Sequence, residues 1–265
     1  MAKRIQQSVS TFDDVAARLQ QNFLFRDCSA DQLVDGLSEV QSLQEKLYSG
    51  RPIYTAYEPD IALEYLYTLV HGGPVIVRSA PLDRVIALTY PGGCFGMFDL
   101  DCGDGLVYRG FPSLVEAYKT ADVIKIPQAV VQRLYQENAA FQQRYRLLLE
   151  LREKFQYHLL NCSTYPPQAV AALLRALIYQ ERILGNQPKV DGIFCFDLSV
   201  DIIARACQLN HRTVEQVLKG MTKVGLLQKN SQPEVSGDRI EVCDPEGLKG
   251  VYGATRDKVA WWPLR

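Results

Sequence analysis

Residues 198–227 read LSVDIIARACQLNHRTVEQVLKGMTKVGLL and predict two short helices joined by the tripeptide Gln208-Leu209-Asn210. In both halves apolar residues recur at three- and four-residue steps, which is the helical period. Asn210 stands where a helix N-cap is expected, because its short side chain can accept a bond from a free amide of the first turn. The buried faces would be formed by Ile202, Ile203, Ala206 and Leu209, and by Val214, Val217, Leu218 and Met221. This pattern predicts a helix-turn-helix.

Polar residues occupy the start of the second helix, which in a helix-turn-helix enters the major groove. Arginine can read guanine, glutamine can read adenine, and threonine can hold a phosphate. Residues 205–229 contain five basic residues and one acidic residue, a local net charge of +4. The alternative is a small helical domain for protein contacts with solvated cations. The candidate DNA-binding residues are His211, Arg212, Thr213, Gln216 and Lys219.

A hairpin is predicted directly after the second helix. Leu226-Leu227-Gln228-Lys229 and Arg239-Ile240-Glu241-Val242 read as strands, with a polar turn between them. Such a hairpin fits a wing that follows the phosphate backbone, with Lys229 and Arg239 available to phosphate.

Residues 43–127 predict an antiparallel β-barrel or roll. Apolar and β-branched runs at Tyr65–Val70, Val75–Val77 and Val85–Tyr90 alternate with Gly- and Pro-containing breaks. Two helices are predicted before this region, at about 10–24 and near Leu33–Val40. Ser29 and Gln32 fit a capping box for the second of them.

A long helix is predicted from Gln128 to Asn161. Its apolar stripe could pack on the β-roll, with a second face forming a coiled-coil contact with another copy of the chain; a plain core helix is the alternative. A further helix, Ala169–Leu184, would end at Gly185-Asn186. We therefore predict an α+β fold with a β-roll sensor domain with N-terminal helices (1–135), a dimerisation helix (136–163) and a winged helix-turn-helix domain (164–265). The stripe consists of Leu134, Phe141, Tyr145, Leu148, Leu151, Phe155 and Leu159.

Composition excludes several classes of protein. The chain has 265 residues, 47% of them hydrophobic and 22% charged, with a net charge of −1, which argues against a disordered protein. No apolar run reaches 18 residues and the first residues carry no apolar signal segment, so we expect a cytoplasmic protein without a membrane span. The seven cysteines are scattered without a CxxC pair, so we expect reduced thiols and no metal. No catalytic motif is present, so we do not expect an enzyme.

The order of these elements resembles the CRP/FNR family of bacterial transcription regulators over nearly the whole chain. The most specific matches are Gly93-Cys94-Phe95-Gly96 in the β-roll and Asn210-His211-Arg212-Thr213-Val214 at the second helix. The resemblance implies a homodimer that binds DNA and responds to a ligand in the β-roll. The family often has Arg-Glu-Thr-Val at the recognition helix, so the DNA sequence preferred here should differ.

Departures from the family pattern exclude its best-known ligands. Cyclic-AMP-binding members hold the ribose with a Gly-Glu pair and the phosphate with an Arg-Ser pair. Met97 and Pro112 stand at the Glu and Arg positions here, and neither can make those contacts. Cys28 is the only cysteine in the first 90 residues, so an iron–sulfur cluster of the family type is not expected. His71 alone gives little support to a heme.

A cyclic dinucleotide is the ligand that the sensor sequence favours. Guanine is recognised by arginine, a carboxylate and a flat stacking surface, and arginine also pairs with phosphate. The candidate ligand-binding residues are Arg78, Asp83, Arg84, Tyr108 and Arg109. Ordinary solvated hairpin charges are the alternative for these residues. CRP-like receptors of cyclic di-GMP are known, and this chain is similar to them in its degenerate cyclic-AMP pocket.

A second hypothesis is a cyclic dinucleotide receptor with little DNA binding of its own. It would signal by contact with a second CRP-family regulator. The altered recognition helix and the near-neutral total charge favour it. The apolar tail Val259–Leu264 could make that contact, or dock on its own chain.

Overall fold

A computed structural model describes most of the chain. The described residues are 12–37, 43–51, 64–79, 84–101, 113–160, 165–188, 191–228, 238–253 and 259–263.

Two short helices precede the sheets. Helix α1 spans Phe12–Gln21 and α2 spans Ala30–Leu37. The predicted capping box is confirmed: Ser29 Oγ accepts from the Gln32 amide at 3.2 Å, and Gln32 Oε1 accepts from the Ser29 amide at 3.0 Å. Both helices bury their apolar faces, because Val15, Leu19 and Leu33 are almost fully inaccessible to solvent.

Among the described residues, seven strands form two antiparallel sheets, and this antiparallel pairing agrees with the β-roll predicted for residues 43–127. One sheet has the order β1-β7-β2-β5 and the other the order β4-β3-β6. Within the second sheet β3 is central, pairing with both β4 and β6. The strands are β1 (Gln44–Leu47), β2 (Tyr65–Gly72), β3 (Val75–Ser79), β4 (Arg84–Thr89), β5 (Cys94–Phe95), β6 (Ser113–Ala117) and β7 (Ala121–Pro127).

The helical region after β7 is broken, and the prediction of one continuous helix from Gln128 to Asn161 is wrong. Helix α3 spans Gln128–Glu137 and α4 spans Ala139–Leu160. Asn138 lies between them in an extended conformation with φ −123°. Its Oδ1 accepts from the amides of Ala140 at 3.1 Å and Phe141 at 3.0 Å, so it caps a new helix rather than continuing the old one.

The apolar stripe of α4 packs inside its own chain. Phe141, Tyr145, Leu148 and Leu151 join the core formed with α1, α2 and α3, while Phe155 and Leu159 join the core of the C-terminal half. The side of the helix that the stripe occupies is therefore used internally. A contact with another copy would have to use a different face of α4.

A winged helix-turn-helix follows. Helix α5 ends at Gly185 in the left-handed conformation, as its sequence predicts. Strand β10 pairs with both β8 and β9, which forms the predicted hairpin as part of a three-stranded sheet. The elements are α5 (Pro166–Leu184), β8 (Phe194–Asp197), α6 (Val200–Cys207), α7 (His211–Lys223), β9 (Leu227–Gln228), β10 (Arg239–Val242) and α8 (Gly247–Gly253).

The β-roll and the winged helix share one hydrophobic core. Ile76, Val85 and Leu88 of the β4-β3-β6 sheet, and Tyr90 just after β4, belong to the same buried cluster as the apolar residues of α5, α6 and α7. The Tyr90 and Phe196 rings meet edge to face, with centroids 5.8 Å apart. Helix α6 is therefore packed directly against the sensor sheet.

Candidate DNA-binding face and its seam with the β-roll

Local hydrogen bonds fix the helix-turn-helix. Ser199 Oγ accepts from the Ile202 amide at 3.2 Å and begins α6, while Asn210 Oδ1 accepts from the Thr213 amide at 2.8 Å and begins α7. Gln208 ends α6 in the left-handed conformation with φ 54°, which is uncommon for a residue other than glycine. The predicted N-cap at Asn210 is confirmed.

One face of α7 presents polar side chains to solvent. Arg212 and Lys219 are exposed, and Gln216 is half-buried between them. Lys223 extends the same face, since the four residues follow each other at three- and four-residue steps. Within the described parts of the chain, none of these three cations forms an ion pair with a carboxylate. This face can therefore offer its charge to phosphate and its Arg and Gln groups to base edges.

His211 and Thr213 behave differently from the rest of the predicted DNA-binding set. His211 Nε2 lies 3.3 Å from Asp201 Oδ1, although the histidine side chain is 63% exposed. Thr213 is half-buried, and its amide is held by the cap. An acidic group therefore lies beside the first residue of α7, where DNA phosphate would have to approach.

The wing offers less positive charge than its sequence suggests. Arg239 Nε lies 3.1 Å from Glu241 Oε1, and only 20% of the arginine side chain is exposed. The expectation that Arg239 is available to phosphate is therefore wrong in this conformation. Lys229, the other predicted wing cation, lies outside the described residues.

The contact between the β4-β3-β6 sheet and the winged helix, which we call the seam, is rich in charge. Glu116 of β6 accepts from Arg205 of α6, and the same carboxylate accepts from Arg78 of β3 at 3.1 Å. Lys119, just beyond β6, donates to both carboxylate oxygens of Asp197, at 2.6 and 2.7 Å. Burial lowers the pKa of Arg205, but the hydrogen bond and charge of Glu116 outweigh it and raise that pKa overall.

Two of the predicted ligand-binding residues lie in this seam. Arg78 is tied to Glu116, and Arg84 of β4 donates to Gln208 Oε1 at 2.6 Å, at the turn of the helix-turn-helix. Arg84 thus connects the sensor sheet directly to the DNA-binding unit, whereas Arg78 reaches it only through Glu116, which also binds Arg205. The remaining members of the set, Asp83, Tyr108 and Arg109, lie outside the described residues. Sequence reasoning missed Glu116 and Gln208, because nothing in their local pattern marks them.

Tyr90 contributes a neutral bond to the seam. Its hydroxyl donates to the carbonyl oxygen of Asp197 at 3.1 Å. Burial raises the pKa of Tyr90, and the charges of Asp197 and Glu181 raise it further. The phenol therefore stays protonated and remains a donor.

The space between the β-roll and α4 is nearly filled. The described residues leave a cavity of about 50 Å³, lined mostly by apolar groups including Phe95, Met97 and Leu148. Ligand pockets are typically at least about 300 Å³. The Met97 side chain is buried, while its carbonyl accepts from Arg152 at 2.7 Å. A nucleotide does not fit in this cavity.

A larger cavity of about 300 Å³ lies between α4, α5 and α8. Its floor is apolar, with Leu151, Phe155 and Ala172, and Arg175 lies on its rim with its guanidinium 5.0 Å from the Tyr252 ring centroid. Two of the residues that line it, Tyr179 and Tyr252, are exposed tyrosines.

The apolar tail docks on its own chain. Val259 is buried, and Trp261 and Trp262 pack against the winged-helix core. A Cβ at Gly220 of α7 would come within 2.4 Å of the Trp261 ring, so the glycine makes room for the indole. The tail is thus engaged rather than free to contact another regulator.

The described residues contain no group of three or more His, Cys, Asp or Glu side chains that could hold a metal ion. The helices in these same ranges are also too short or too polar to cross a membrane.

Comparison with solved structures identifies the fold. FixK2 from Bradyrhizobium japonicum matches with a TM-score of 0.58 at 18% identity, covering 80% of this chain and 98% of that one. A CooA variant from Carboxydothermus hydrogenoformans matches with a TM-score of 0.55 at 17% identity, covering 79% and 87%. This chain has the fold of the CRP/FNR transcription regulators.

A third similar structure is CLP from Xanthomonas campestris, described as a c-di-GMP-responsive global regulator. It matches with a TM-score of 0.50 at 15% identity, covering 82% of this chain and all of that one. These neighbours are regulators rather than enzymes. Neither a protein-family model nor a curated protein matches the sequence.

Proposed function

We propose that this chain is a CRP-like transcription regulator that binds DNA through α7 and a nucleotide second messenger other than cyclic AMP through its β-roll half. The observation that carries the proposal is the face of α7. Arg212, Gln216, Lys219 and Lys223 form one polar stripe, and within the described residues none of the three cations forms an ion pair with a carboxylate. The stripe lies on the second helix of a helix-turn-helix, the element that reads the major groove in this fold.

The sensor ligand is a molecule other than cyclic AMP. Met97 is buried and apolar where a ribose acceptor would be needed, and the cavity beside it has a volume of about 50 Å³. Cyclic di-GMP is the best candidate, because Arg78 and Arg84 can pair with its phosphates or guanines. The likeness in fold to the c-di-GMP-responsive CLP supports this choice.

The working form in this proposal is a cytoplasmic homodimer. Regulators with this fold act as DNA-binding dimers. Because the apolar stripe of α4 is used internally, we place the contact on the outer face of α4, where Tyr157 is 65% exposed. Light scattering coupled to gel filtration should give the mass of two chains, and Tyr157→Glu should shift it towards one. Tyr48→Glu, at an exposed site on the first half, is the matched control and should leave the dimer intact.

Calorimetric titration tests the ligand. We expect cyclic di-GMP to bind the full chain with micromolar or tighter affinity and cyclic AMP to give no heat. Arg84→Ala should weaken the binding of cyclic di-GMP, whereas Arg51→Ala, which removes a guanidinium stacked on the Tyr48 ring, should not. Absence of heat with both nucleotides would reject cyclic di-GMP as the ligand. The chain would then be a DNA-binding protein that does not respond to this nucleotide.

A further inference from the structure

Glu116 lies between the two functional halves of the chain. It belongs to β6 of the sensor sheet, and only 17% of its side chain is exposed. One carboxylate oxygen accepts from Arg78 of β3, and the other accepts from Arg205 of α6. A single half-buried anion is thus shared by a candidate ligand-binding arginine and an arginine of the DNA-binding unit.

The chemistry of this arrangement is specific. Bonds between arginine and carboxylate are stronger than neutral hydrogen bonds, and a buried carboxylate that loses one cation becomes costly to keep. Whatever draws Arg78 away from Glu116 therefore changes the environment of the Glu116–Arg205 pair. Asp201 is a second, weaker partner of Arg205, at 3.6 Å.

The position of Arg205 matters for DNA. In a helix-turn-helix the first helix crosses the phosphate backbone. Arg205 lies on that first helix, α6, but its charge is neutralised by Glu116 across the seam. An arginine that could contact phosphate is thereby withheld from it.

We propose that Glu116 is the positioning residue that couples the sensor to the DNA-binding unit: it holds α6 against the sensor sheet and withholds Arg205 from DNA. This inference rests on the proposed function, and it adds the residue through which Arg78 and the helix-turn-helix influence each other. By linkage, a ligand that engages Arg78 and DNA that engages Arg205 must change each other's affinity by the same factor.

Hydrogen exchange of the full chain without ligand tests the structural step. In Glu116→Gln, peptides covering α6 should exchange roughly fivefold to tenfold faster. This factor is smaller than the loss of a fully buried charged hydrogen bond would give, because both side chains of the pair are partly exposed to solvent. Arg205→Gln should produce the same change from the other side. Glu45→Gln breaks an ion pair with Lys125 at 3.1 Å in the other sheet and should leave α6 unchanged.

DNA binding separates coupling from a merely structural role. With a duplex selected by the parent protein from a random pool, Glu116→Gln should bind a few-fold tighter, because Arg205 becomes available to a phosphate. Its slope of log affinity against log salt should steepen by about 1. Arg205→Gln loosens α6 equally but removes the cation, so it should show neither gain.

The outcomes are distinct. Unchanged exchange in α6 in both variants, or equal increases in peptides of β2 and β7, would overturn the coupling role. An unchanged salt slope in Glu116→Gln would overturn the withholding of Arg205. If the parent binds neither cyclic di-GMP nor DNA, the proposed function fails, while the exchange experiment still decides whether Glu116 holds α6.

Discussion

Helices α6 and α7 belong to one helix-turn-helix, yet their arginines have opposite surroundings. Arg205 on α6 is tied to Glu116 and Asp201, and 31% of its side chain is exposed. Arg212 on α7 is exposed and forms no ion pair with a carboxylate among the described residues. The two helices have similar amphipathic patterns, so their sequences alone do not distinguish these arginines. A carboxylate 89 residues away along the chain makes the difference.

The largest expected effect tests this contrast directly. Arg212→Ala should weaken binding to the selected duplex by about 1–3 kcal/mol, because an arginine that reads a base is lost. Arg205→Ala should change the affinity for DNA by less than about 0.5 kcal/mol, since Glu116 already neutralises the charge of Arg205 in the seam. Fluorescence anisotropy at constant salt measures both. Equal losses of affinity in the two variants would show that Arg205 also contacts DNA, although Glu116 is present.

Tyr90→Phe should weaken the seam by a smaller amount. The change removes the bond from the hydroxyl to the Asp197 carbonyl and should lower the free energy of unfolding by about 1 kcal/mol. Urea denaturation measures the change, with the exposed Tyr179→Phe as the control. If Tyr179→Phe lowers the free energy of unfolding as much as Tyr90→Phe does, the hydrogen bond of Tyr90 makes no specific contribution to stability.

Lys219→Ala probes the exposed face of α7 at a position that should contact phosphate. The affinity for DNA should fall by a similar factor for every sequence, and the slope of log affinity against log salt should become shallower by about 1. Lys249→Ala removes an exposed lysine of α8 and is the matched control. A loss that depends on the base sequence would mean that Lys219 reads a base instead.

The sequence predicted the elements well, because local signals specify them. Asn210 and Ser29 are capping residues by type and position, and both caps form. The break at Asn138 has a local cause too, since asparagine is a strong N-cap. It was not predicted because the apolar stripe continues through this position and favoured a single helix. The local net charge of +4 overestimates the positive charge available to DNA, because Glu116 of the β-roll neutralises Arg205. The spacing of residues along the sequence does not reveal this contact.

The candidate sensor site was less predictable. Arg78 and Arg84 were chosen as ligand contacts because of their spacing around a turn. Their partners, Glu116 and Gln208, come from β6 and from the helix-turn-helix, so only the tertiary packing brings them together. The roles of Asp83, Tyr108 and Arg109 stay predictions.

The last prediction concerns the thiols of Cys94 and Cys28. Burial raises the pKa of Cys94 to about 12, partly opposed by a hydrogen bond with Asn22, and burial raises that of Cys28 to about 11. Because only the thiolate reacts, iodoacetamide at pH 8 should label Cys94 roughly a thousandfold more slowly in the folded protein than in urea. Peptide mapping by mass spectrometry measures this rate for each cysteine.

The same shifts fix the sign of a pH effect on stability. A thiol whose pKa is higher in the folded state favours folding while it is protonated. That contribution is complete below the unfolded pKa of about 9 and is lost as the pH rises towards 11 and 12. The free energy of unfolding should therefore fall above pH 9, and Cys94→Ala should reduce that slope. Rapid labelling of Cys94 at pH 8 in the folded chain would contradict the raised pKa of its thiol.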